Sequence, residues 1–463
     1  MRSSSSAVLA FVVFALVASP FIATAEADQQ RVEWEMTGLF SGNVIIARDG
    51  SLRVVEYNSG DPVSMLNPEL RCFDTFGHAL WTYRITGHCM GGVVGVDGTT
   101  YLSTSNSPSG PSVLALDNNG TVKWIFNAQN LTGGTPSGVS TPMIAKDGTV
   151  LFMVHGSAWP LQDEPEENSW LFDLDADGSL TWMTEFNDSH VRAFGILESS
   201  GAILVAPNQY GITALGSNGT AKWELDLNIT GYKIAFGPVV QNDIIFMGVR
   251  NISRNVPCEL WSFNENGSFL WRYAFNGEVP FMQGGDISSV VADTNGTVYA
   301  VTQPGQEVSS ALWEDLGANT TYGRMVPGKL ISLTPEGDLR WSKDVDSASS
   351  EIILDSNGLI YLNTGSEILA FENDGSITER YRAAQGTMLR SLALSNGGIF
   401  VLSKIGTSGY TTISVSSGMP HDNIPDFLQK NTILIVTMLI LISIFVFLTY
   451  VRLSTGKRKQ GPR

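Results

Sequence analysis

Short runs of alternating apolar and polar residues recur along the chain, and turns rich in Asn, Asp and Gly separate them. Residues 113–126 show the pattern: V-L-A-L, then the turn D-N-N-G, then T-V-K-W-I-F. Asn and Gly tolerate the positive φ that a tight hairpin turn requires. Alternation is typical of strands with one buried face. This stretch therefore predicts a β-hairpin with Trp124 on its second strand.

The same hairpin recurs with a tryptophan four residues after the turn glycine. Gly-x-x-x-Trp appears six times, and a seventh copy carries Glu379 in place of the tryptophan. A second hairpin precedes each copy, as in residues 93–103, 143–153 and 290–301. One repeat therefore holds four strands, A to D. Repeats of this kind are typical of the blades of a β-propeller.

The first and last repeats complement each other. Residues 31–36 resemble a D strand without a hairpin partner, whereas residues 389–416 supply strands A, B and C but no D. We expect the N-terminal strand to complete the last blade, because closure removes an exposed sheet edge. Eight D strands predict an all-β, eight-bladed propeller of four-stranded antiparallel blades. Seven blades remain the alternative if the first A–B pair, residues 43–57, is misread.

In an up-and-down blade the A–B and C–D turns share one face, and the B–C and D–A connections share the other. The tight Asp-Gly and Asn-Gly turns all belong to the first, tight-turn face. The long segments belong to the second, long-loop face: residues 58–69, 155–169, 251–257 and 303–328 between strands B and C, and 127–138 and 276–285 between D and A. Long loops on a rigid scaffold commonly bind partners, although tolerated insertion is an equal alternative.

The chain ends carry targeting patterns. Residues 1–25 combine Arg2, an apolar run and a small-residue Ala-Thr-Ala site, which predicts a cleaved signal peptide, with an uncleaved anchor as the alternative. Residues 26–417 form the predicted extracellular propeller and 418–431 a linker. Residues 432–451 lack charge over a length that spans a bilayer as a C-terminal helix. The basic tail, 452–463, predicts a cytoplasmic end and hence a single-pass type I membrane protein.

Composition narrows the partners and the chemistry. The formal net charge of −17 argues against a nucleic-acid binder. Three cysteines are few for a secreted chain of 463 residues, so disulfides do not hold the fold together. Cys72 is predicted to begin a C strand and Cys89 to lie in the following D–A connection, which places both toward the same face of adjacent blades. A disulfide between them is left open, and it would leave Cys258 unpaired.

Nine Asn-x-Ser/Thr sequons agree with an external, glycosylated domain. Four of them coincide with Asn-Gly-Thr/Ser turns, where turn formation alone selects the same residues, and the other five carry more weight. The nine are Asn119, Asn130, Asn187, Asn218, Asn228, Asn251, Asn266, Asn295 and Asn319.

The tandem A-L-D-x-x-G-x-x-x-W units over residues 31–416 resemble the PQQ-like repeat superfamily of eight-bladed propellers. That superfamily contains quinoprotein dehydrogenases and also non-enzymatic scaffolds such as the outer-membrane assembly lipoprotein. The resemblance implies that the repeat tryptophans dock between neighbouring blades: Trp34, Trp81, Trp124, Trp182, Trp223, Trp271 and Trp341. A quinoprotein enzyme would also carry adjacent cysteines and a set of calcium ligands. This chain has no Cys-Cys pair, so no cofactor is expected, and PQQ with calcium belongs to an alternative.

One other motif has metal-ligand spacing. Asp173-x-Asp175-x-Asp177 could present oxygen ligands to calcium, but Thr184 stands where a bidentate Glu is needed and the segment already reads as a C–D turn. Two functions follow. The favoured one is a monomeric, cell-surface binding or scaffold module whose long-loop face meets a protein or glycan. The other is a PQQ-dependent dehydrogenase.

Overall fold

The computed structural model describes residues 32–57, 68–105, 110–132, 138–156, 168–187, 194–197, 199–227, 231–251, 258–275, 282–284, 286–307, 325–345, 351–394, 400–406 and 410–416. The predicted signal peptide, linker, membrane segment and tail lie outside these ranges. Within them, no helix is both long enough and apolar enough to cross a bilayer.

Eight antiparallel sheets follow one another along the chain, and each has four strand positions. The first strand of the chain, β1 (Val32–Gly38), belongs to the last sheet. Blades 1 to 4 are built as follows: blade 1 from β2 (Phe40–Ile46), β3 (Leu52–Glu56), β4 (Glu69–Phe73) and β5 (Ala79–Arg84); blade 2 from β6 (His88–Val94), β7 (Thr100–Ser105), β8 (Ser112–Leu116) and β9 (Val122–Asn127); blade 3 from β10 (Gly138–Val139), β11 (Met143–Ile144), β12 (Val150–His155), β13 (Ser169–Leu174) and β14 (Leu180–Phe186); blade 4 from β15 (Phe194–Ile196), β16 (Ile203–Asn208), β17 (Gly211–Leu215) and β18 (Ala221–Asp226).

Blade 6 carries a small additional sheet, and a 3-10 turn (Gln129–Leu131) follows blade 2. The remaining strands are as follows: blade 5 from β19 (Tyr232–Gln241), β20 (Ile244–Asn251), β21 (Glu259–Phe263) and β22 (Phe269–Ala274); blade 6 from β24 (Ile287–Ala292), β25 (Val298–Thr302), β28 (Gly328–Leu333) and β29 (Leu339–Val345); the additional sheet from β23 (Met282–Gly284), β26 (Gly305–Glu307) and β27 (Met325–Val326); blade 7 from β30 (Glu351–Leu354), β31 (Ile360–Asn363), β32 (Glu367–Phe371) and β33 (Ile377–Arg382); blade 8 from β34 (Met388–Leu394), β35 (Phe400–Ile405), β36 (Thr411–Ser416) and β1.

The hydrophobic core lies between blades. Every residue of the middle strands β7 and β8 is buried, whereas the outer strand β9 alternates between exposed and half-buried positions. Phe126 of blade 2 packs edge-on against Phe152 and Phe172 of blade 3, whose rings stack with centroids 5.1 Å apart. Strand β8 therefore reads as a nearly continuous apolar run, because both of its faces are covered by neighbouring sheets, whereas β7 buries four hydroxyl-bearing residues beside Tyr101 and Leu102.

The N-terminal strand closes the ring, as the sequence predicted. β1 pairs antiparallel with β36, with Trp34 opposite Val415 and Gly38 opposite Thr411. The hydroxyl groups of Thr37 and Thr412 also meet at 3.0 Å. The A–B pair of blade 1 is present as β2 and β3, so the count is eight blades and not seven.

Deleting residues 26–37 should expose the edge of β36 and lower the melting temperature or cause aggregation, because an unpaired edge strand templates intermolecular pairing. Thermal unfolding and size-exclusion chromatography check this. Deleting residues 26–31 leaves β1 intact and serves as the matched control. A 26–37 deletion that stays monomeric and as stable as this control would contradict the closure.

Candidate functional site

The C–D turns on the tight-turn face share one geometry. In the turn of blade 3, the Gly178 amide donates to the Asp175 carbonyl at 2.9 Å and the Asp175 amide donates to the Ser179 carbonyl at 2.8 Å. Gly178 has φ +85°, a left-handed conformation that glycine adopts without steric cost. Local turn chemistry thus explains why each copy keeps its glycine.

Each repeat tryptophan reaches from its D strand to the C–D turn of the next blade. The indole NH donates to the carbonyl two residues before that turn's glycine in all seven cases: Trp34 to Thr75 (2.9 Å), Trp81 to Asn118 (2.8 Å), Trp124 to Ala176 (2.8 Å), Trp182 to Ser217 (2.7 Å), Trp223 to Glu265 (3.2 Å), Trp271 to Pro335 (2.7 Å) and Trp341 to Asn373 (2.9 Å). The Trp34 link joins blade 8 to blade 1. These seven half-buried side chains bridge blades and line no common site.

The indole ring lies against the glycine itself. A Cβ added to any of the seven turn glycines would lie 2.5–2.9 Å from the docked tryptophan ring, closer than real Cβ contacts. Glycine is therefore required twice at these positions, once for its backbone conformation and once for the close approach. Those glycines are Gly77, Gly120, Gly178, Gly219, Gly267, Gly337 and Gly375.

The boundary between blades 7 and 8 departs from this scheme for a topological reason. Glu379 lies opposite Ala370, at the position that tryptophan takes in the other blades. Blade 8 has no C–D turn to receive an indole, because its C strand β36 and its D strand β1 come from opposite ends of the chain. Tyr381 packs into an apolar cluster with Leu389 and Leu392 instead, and the Lys404 ammonium lies 5.9 Å from the Tyr381 ring centroid.

The disulfide between Cys72 and Cys89 is not formed, and all three cysteines are free. The sequence pattern predicted Cys72 at the start of its strand. In the structure β4 begins at Glu69, so Cys72 lies at the tight-turn end of blade 1. Cys89 lies near the start of β6, at the long-loop end of blade 2. Burial raises the pKa of the Cys89 thiol to about 11 and that of Cys258 to about 12, so both are unreactive as nucleophiles.

Part of the long-loop face is organised rather than irregular. The B–C insertion of blade 6 forms the hairpin β26–β27, and β23 from the preceding D–A connection adds a third strand. We call this three-stranded element the accessory sheet. Its base is tied to blade 5 by an ion pair between Arg250 and Asp286, and the Gln303 amide donates to the Asp286 carbonyl at 2.9 Å. Its strands of two or three residues were missed because alternation over so few positions gives no signal.

The other predicted binding loops lie largely outside the described residues. This applies to residues 58–67, 157–167, 252–257, 133–137, 276–281 and 308–324. The accessory sheet is thus the described part of the long-loop face that departs most from the blade repeat.

A cavity of about 280 Å³ opens on the tight-turn side between blades 3 and 4. The A–B turns of both blades and the C–D turn of blade 4 line it, together with Trp182 and Asp173 of blade 3. Asp173 is only 3% exposed, and its Oδ1 has no hydrogen-bond partner among the described residues. Burial raises the pKa of this carboxyl to about 6. A hydrogen bond with the Thr149 hydroxyl opposes the rise, and the nearby Asp147 and Asp175 carboxylates add to it.

The three aspartates with calcium-loop spacing have different surroundings. Asp175 accepts from the Ala176 amide at 2.6 Å, and Asp177 accepts from the Ser179 amide at 2.9 Å, as turn residues do. Hydrogen bonds from Ser179 lower the pKa of Asp177. Across the described ranges, no group of three or more His, Cys, Asp or Glu side chains is placed to hold a metal ion.

The sequons lie on both faces of the propeller. Six of the asparagines are exposed, Asn251 is half-buried, and two lie outside the described residues, namely Asn228 and Asn319. The exposed six are Asn119, Asn130, Asn187, Asn218, Asn266 and Asn295.

Solved structures share this propeller fold. Quinohemoprotein alcohol dehydrogenase ADHIIG from Pseudomonas putida HK5 is 11% identical, with a TM-score of 0.52 over 84% of this chain and 77% of that one. A europium-containing methanol dehydrogenase is 11% identical, with a TM-score of 0.52 over 83% and 92%. Sqt1 from Chaetomium thermophilum, solved bound to the N-terminus of ribosomal protein L10, is 9% identical, with a TM-score of 0.50 over 80% and 95%.

No protein-family model and no curated relative matches the chain. At these identities the likeness concerns the β-propeller fold alone.

Blade 3 offers a matched pair of glycines that isolates the docking contact. Gly148 and Gly178 have φ of +91° and +85°, but a Cβ on Gly148 meets nothing within 4 Å, whereas one on Gly178 lies 2.6 Å from Trp124. Gly148→Ala should cost about 1–2 kcal/mol from backbone strain alone. Gly178→Ala should cost at least about 1 kcal/mol more, because the indole must leave its position. Chemical denaturation measures both values.

The same comparison in a Trp124→Ala background provides the control. Removing the half-buried indole should itself cost about 3 kcal/mol, at the lower end for truncated tryptophans, and the two glycine variants should then become equal. If the extra cost at Gly178 persisted without Trp124, the close approach would not be its cause.

The raised pKa of Asp173 predicts that wild type and Asp173→Asn differ in stability by an amount that depends on pH. A carboxyl whose folded pKa is raised stabilises the fold below its unfolded pKa near 3.8 and loses that contribution as pH rises through about 6. Asp173→Asn should therefore be more stable than wild type at pH 7.5, by at most about 3 kcal/mol. The gain should disappear near pH 4. Melting temperatures at pH 4, 6 and 7.5 check this, and a constant difference would contradict the raised pKa of the buried carboxyl.

Proposed function

We propose that this chain is a cell-surface, membrane-anchored β-propeller that acts as a non-enzymatic binding or scaffold module through its long-loop face. The observation that carries the proposal is the accessory sheet. It is an elaboration confined to one face, and the ion pair between Arg250 and Asp286 fixes its base. Rigid support under a loop favours binding because less conformational entropy is lost when a partner is engaged.

The opposite face is committed to the fold. Seven of its C–D turns receive a tryptophan from the neighbouring blade, so variation there would weaken contacts between blades. The long-loop face is free of that constraint and can accept insertions. The structure of Sqt1 with the N-terminus of ribosomal protein L10 supports the idea that a propeller of this architecture can act by holding a polypeptide. For this chain the partner class is a protein or a glycan, and the propeller acts as a monomer.

Location follows from the sequence patterns at the chain ends. A signal peptide over residues 1–25, a membrane helix over 432–451 and a basic tail would place the propeller outside the cell. Use of the sequons as glycosylation sites is part of the same proposal. The six exposed asparagines are available to a glycan without rearrangement of the blades.

The alternative, a PQQ-dependent dehydrogenase, meets an obstacle in the donor set. Bound PQQ would supply two-electron redox chemistry and needs a calcium ion held by protein oxygens. The described residues present no group of three acidic, His or Cys side chains suited to a metal, and the three cysteines lie apart as free thiols. The residues that the structure describes therefore do not fit the cofactor.

Two photo-crosslinking positions on blade 6 test the binding face. A benzophenone side chain at Gln306, on the accessory sheet, should form adducts on intact cells, because this strand belongs to the long-loop face. The same group at Glu336, in the exposed C–D turn of the same blade, is the matched control.

Membrane anchoring is tested by cell fractionation. The full-length chain should sediment with membranes, and a chain ending at residue 417 should not.

Equal adduct yields at the two crosslinking positions would contradict the long-loop face as the binding surface.

The dehydrogenase alternative is tested by cofactor absorbance and enzyme activity. The purified ectodomain, with PQQ and calcium added, should show neither quinone absorbance after desalting nor dye-linked oxidation of alcohols. Turnover under those conditions would replace the scaffold proposal with the enzymatic one.

A further inference from the structure

The sequons are unevenly distributed around the ring. All nine lie between residues 119 and 319, and therefore in blades 2 to 6 or in the connections between them. Blades 7, 8 and 1 are neighbours in the closed ring, and their residues 351–416 and 32–84 contain no sequon. We call these three blades the sequon-free arc. Because an N-linked glycan is bulky and hydrated, the arc is the part of the ring that the proposed glycosylation leaves open to close contact with another surface.

The chain enters and leaves the propeller within this arc. Val32 and Ser416 lie opposite each other on adjacent strands of blade 8. Strand β36 occupies a C position and therefore ends at the tight-turn face. Residues 417–431 separate Ser416 from the predicted membrane span, and a stretch of that length reaches at most about 50 Å when extended. The proposed membrane anchor, on which this inference rests, would hold the tight-turn side of blade 8 near the bilayer.

The C–D turn beside that exit carries an exposed aromatic side chain. Phe76 of blade 1 precedes the turn glycine Gly77 and is 74% exposed. Turn chemistry favours Asn and Asp in such a loop, and the equivalent residue is polar or acidic in the six other C–D turns: Asn119, Asp177, Asn218, Asn266, Glu336 and Asp374. Formation of the turn therefore does not require a phenylalanine.

A second exposed apolar side chain lies on the same face. Val96, in the A–B turn of blade 2, is 89% exposed, and Val96 and Phe76 are the two most exposed large apolar side chains among the residues that the structure describes. Single apolar residues scattered over a surface need no explanation. Here the two most exposed ones lie on one face of two adjacent blades, which is a pattern expected of a surface that contacts something apolar.

The turn that carries Phe76 is held firmly by its neighbours. The Phe76 amide donates to Asp74 Oδ1 at 2.9 Å, and the Trp34 indole of blade 8 donates to the Thr75 carbonyl at 2.9 Å. Phe76 is therefore fixed to the blade from which the chain leaves. A side chain on a rigid turn loses little conformational entropy when a partner covers it.

The charges beside these residues indicate which kind of lipid fits. The A–B and C–D turns of blade 1 and the A–B turn of blade 2 contain Asp49, Asp74 and Asp97, and one arginine, Arg48. Carboxylates repel anionic lipid headgroups. An electrically neutral phospholipid therefore fits this surface better than an anionic one.

We propose that the tight-turn side of blades 8 and 1 rests on a bilayer of neutral phospholipid, with Phe76 and Val96 inserted among the headgroups. Two apolar side chains bind a membrane weakly on their own. A tether to the same membrane raises their effective concentration, so the contact forms in the anchored chain. This orientation directs the accessory sheet and the rest of the long-loop face away from the membrane, toward an extracellular partner.

Photo-crosslinking to lipid tests the contact. Benzoylphenylalanine replaces Phe76 in the full-length, glycosylated chain, which is then reconstituted into phosphatidylcholine vesicles. Irradiation should yield at least tenfold more lipid adducts at position 76 than at position 388, as measured by mass spectrometry. Met388 is the matched control, because it is 58% exposed and begins β34 at the long-loop end of blade 8.

A reporter at Val96 tests whether Phe76 itself inserts. With benzoylphenylalanine at position 96, Phe76→Asn should lower the yield of lipid adducts about tenfold, because a buried phenylalanine no longer favours the docked state. Met388→Asn should leave the yield unchanged. Three other C–D turns carry Asn at this position, so Phe76→Asn should keep the wild-type melting temperature. Adding His78→Thr to Phe76→Asn completes a sequon, and a glycan there should abolish the lipid adducts.

The possible results separate this contact from the anchor. A chain that floats with vesicles but gives equal lipid adducts at positions 76 and 388 would overturn the contact and leave the anchor. A chain that does not float would overturn both. Adducts between two copies of the chain at position 76, in place of lipid adducts, would assign this surface to self-association. Unchanged lipid adducts at position 96 in Phe76→Asn would show that Phe76 does not insert.

Discussion

The contact between a D-strand tryptophan and the turn glycine of the next blade is the interaction on which the rest of the structure depends. It combines a hydrogen bond from the indole NH with close packing against a residue that has no side chain. Each blade alone is a four-stranded sheet with two apolar faces, and such a sheet is stable only when neighbours cover it. The tryptophan fixes the distance and orientation at which the neighbouring sheet is met, and the clusters between blades then fill with apolar side chains.

Because of this contact, the two faces of the propeller differ in how much change of sequence and loop length they tolerate. On the tight-turn face, a turn must keep its length, its glycine and its exposed carbonyl, or the link between two blades is lost. On the long-loop face no equivalent contact recurs, which is why blade 6 can carry the accessory sheet there without disturbing the eightfold arrangement. Blade 3 is a different case. It carries Asp173 opposite its docking tryptophan, and the hydrogen bond from the Trp182 indole to the Ser217 carbonyl is still made.

Features encoded within a few neighbouring residues could be predicted from the sequence, and features that depend on register could not. The turn at Gly178 and the strand that carries Trp124 are both local, so the blades, their number and the closing strand followed from pattern. An error of three residues in the start of β4 reversed the end of the blade at which Cys72 lies. The burial of Asp173 depends on pairing with Trp182 across two strands, and its spacing suggested a calcium loop instead.

The boundary between blades 7 and 8, where Glu379 replaces the docking tryptophan, bears on circular permutation of the chain. Val32 and Ser416 lie opposite each other on adjacent strands, so a short glycine-containing turn could connect them and new termini could be opened in another C–D turn. Such a circular permutant would create the eighth receiving turn in blade 8, and a tryptophan in place of Glu379 could then dock there. The missing eighth tryptophan therefore marks the blade in which the first and last strands of the propeller meet, and opening the ring at another turn would move the gap to that blade.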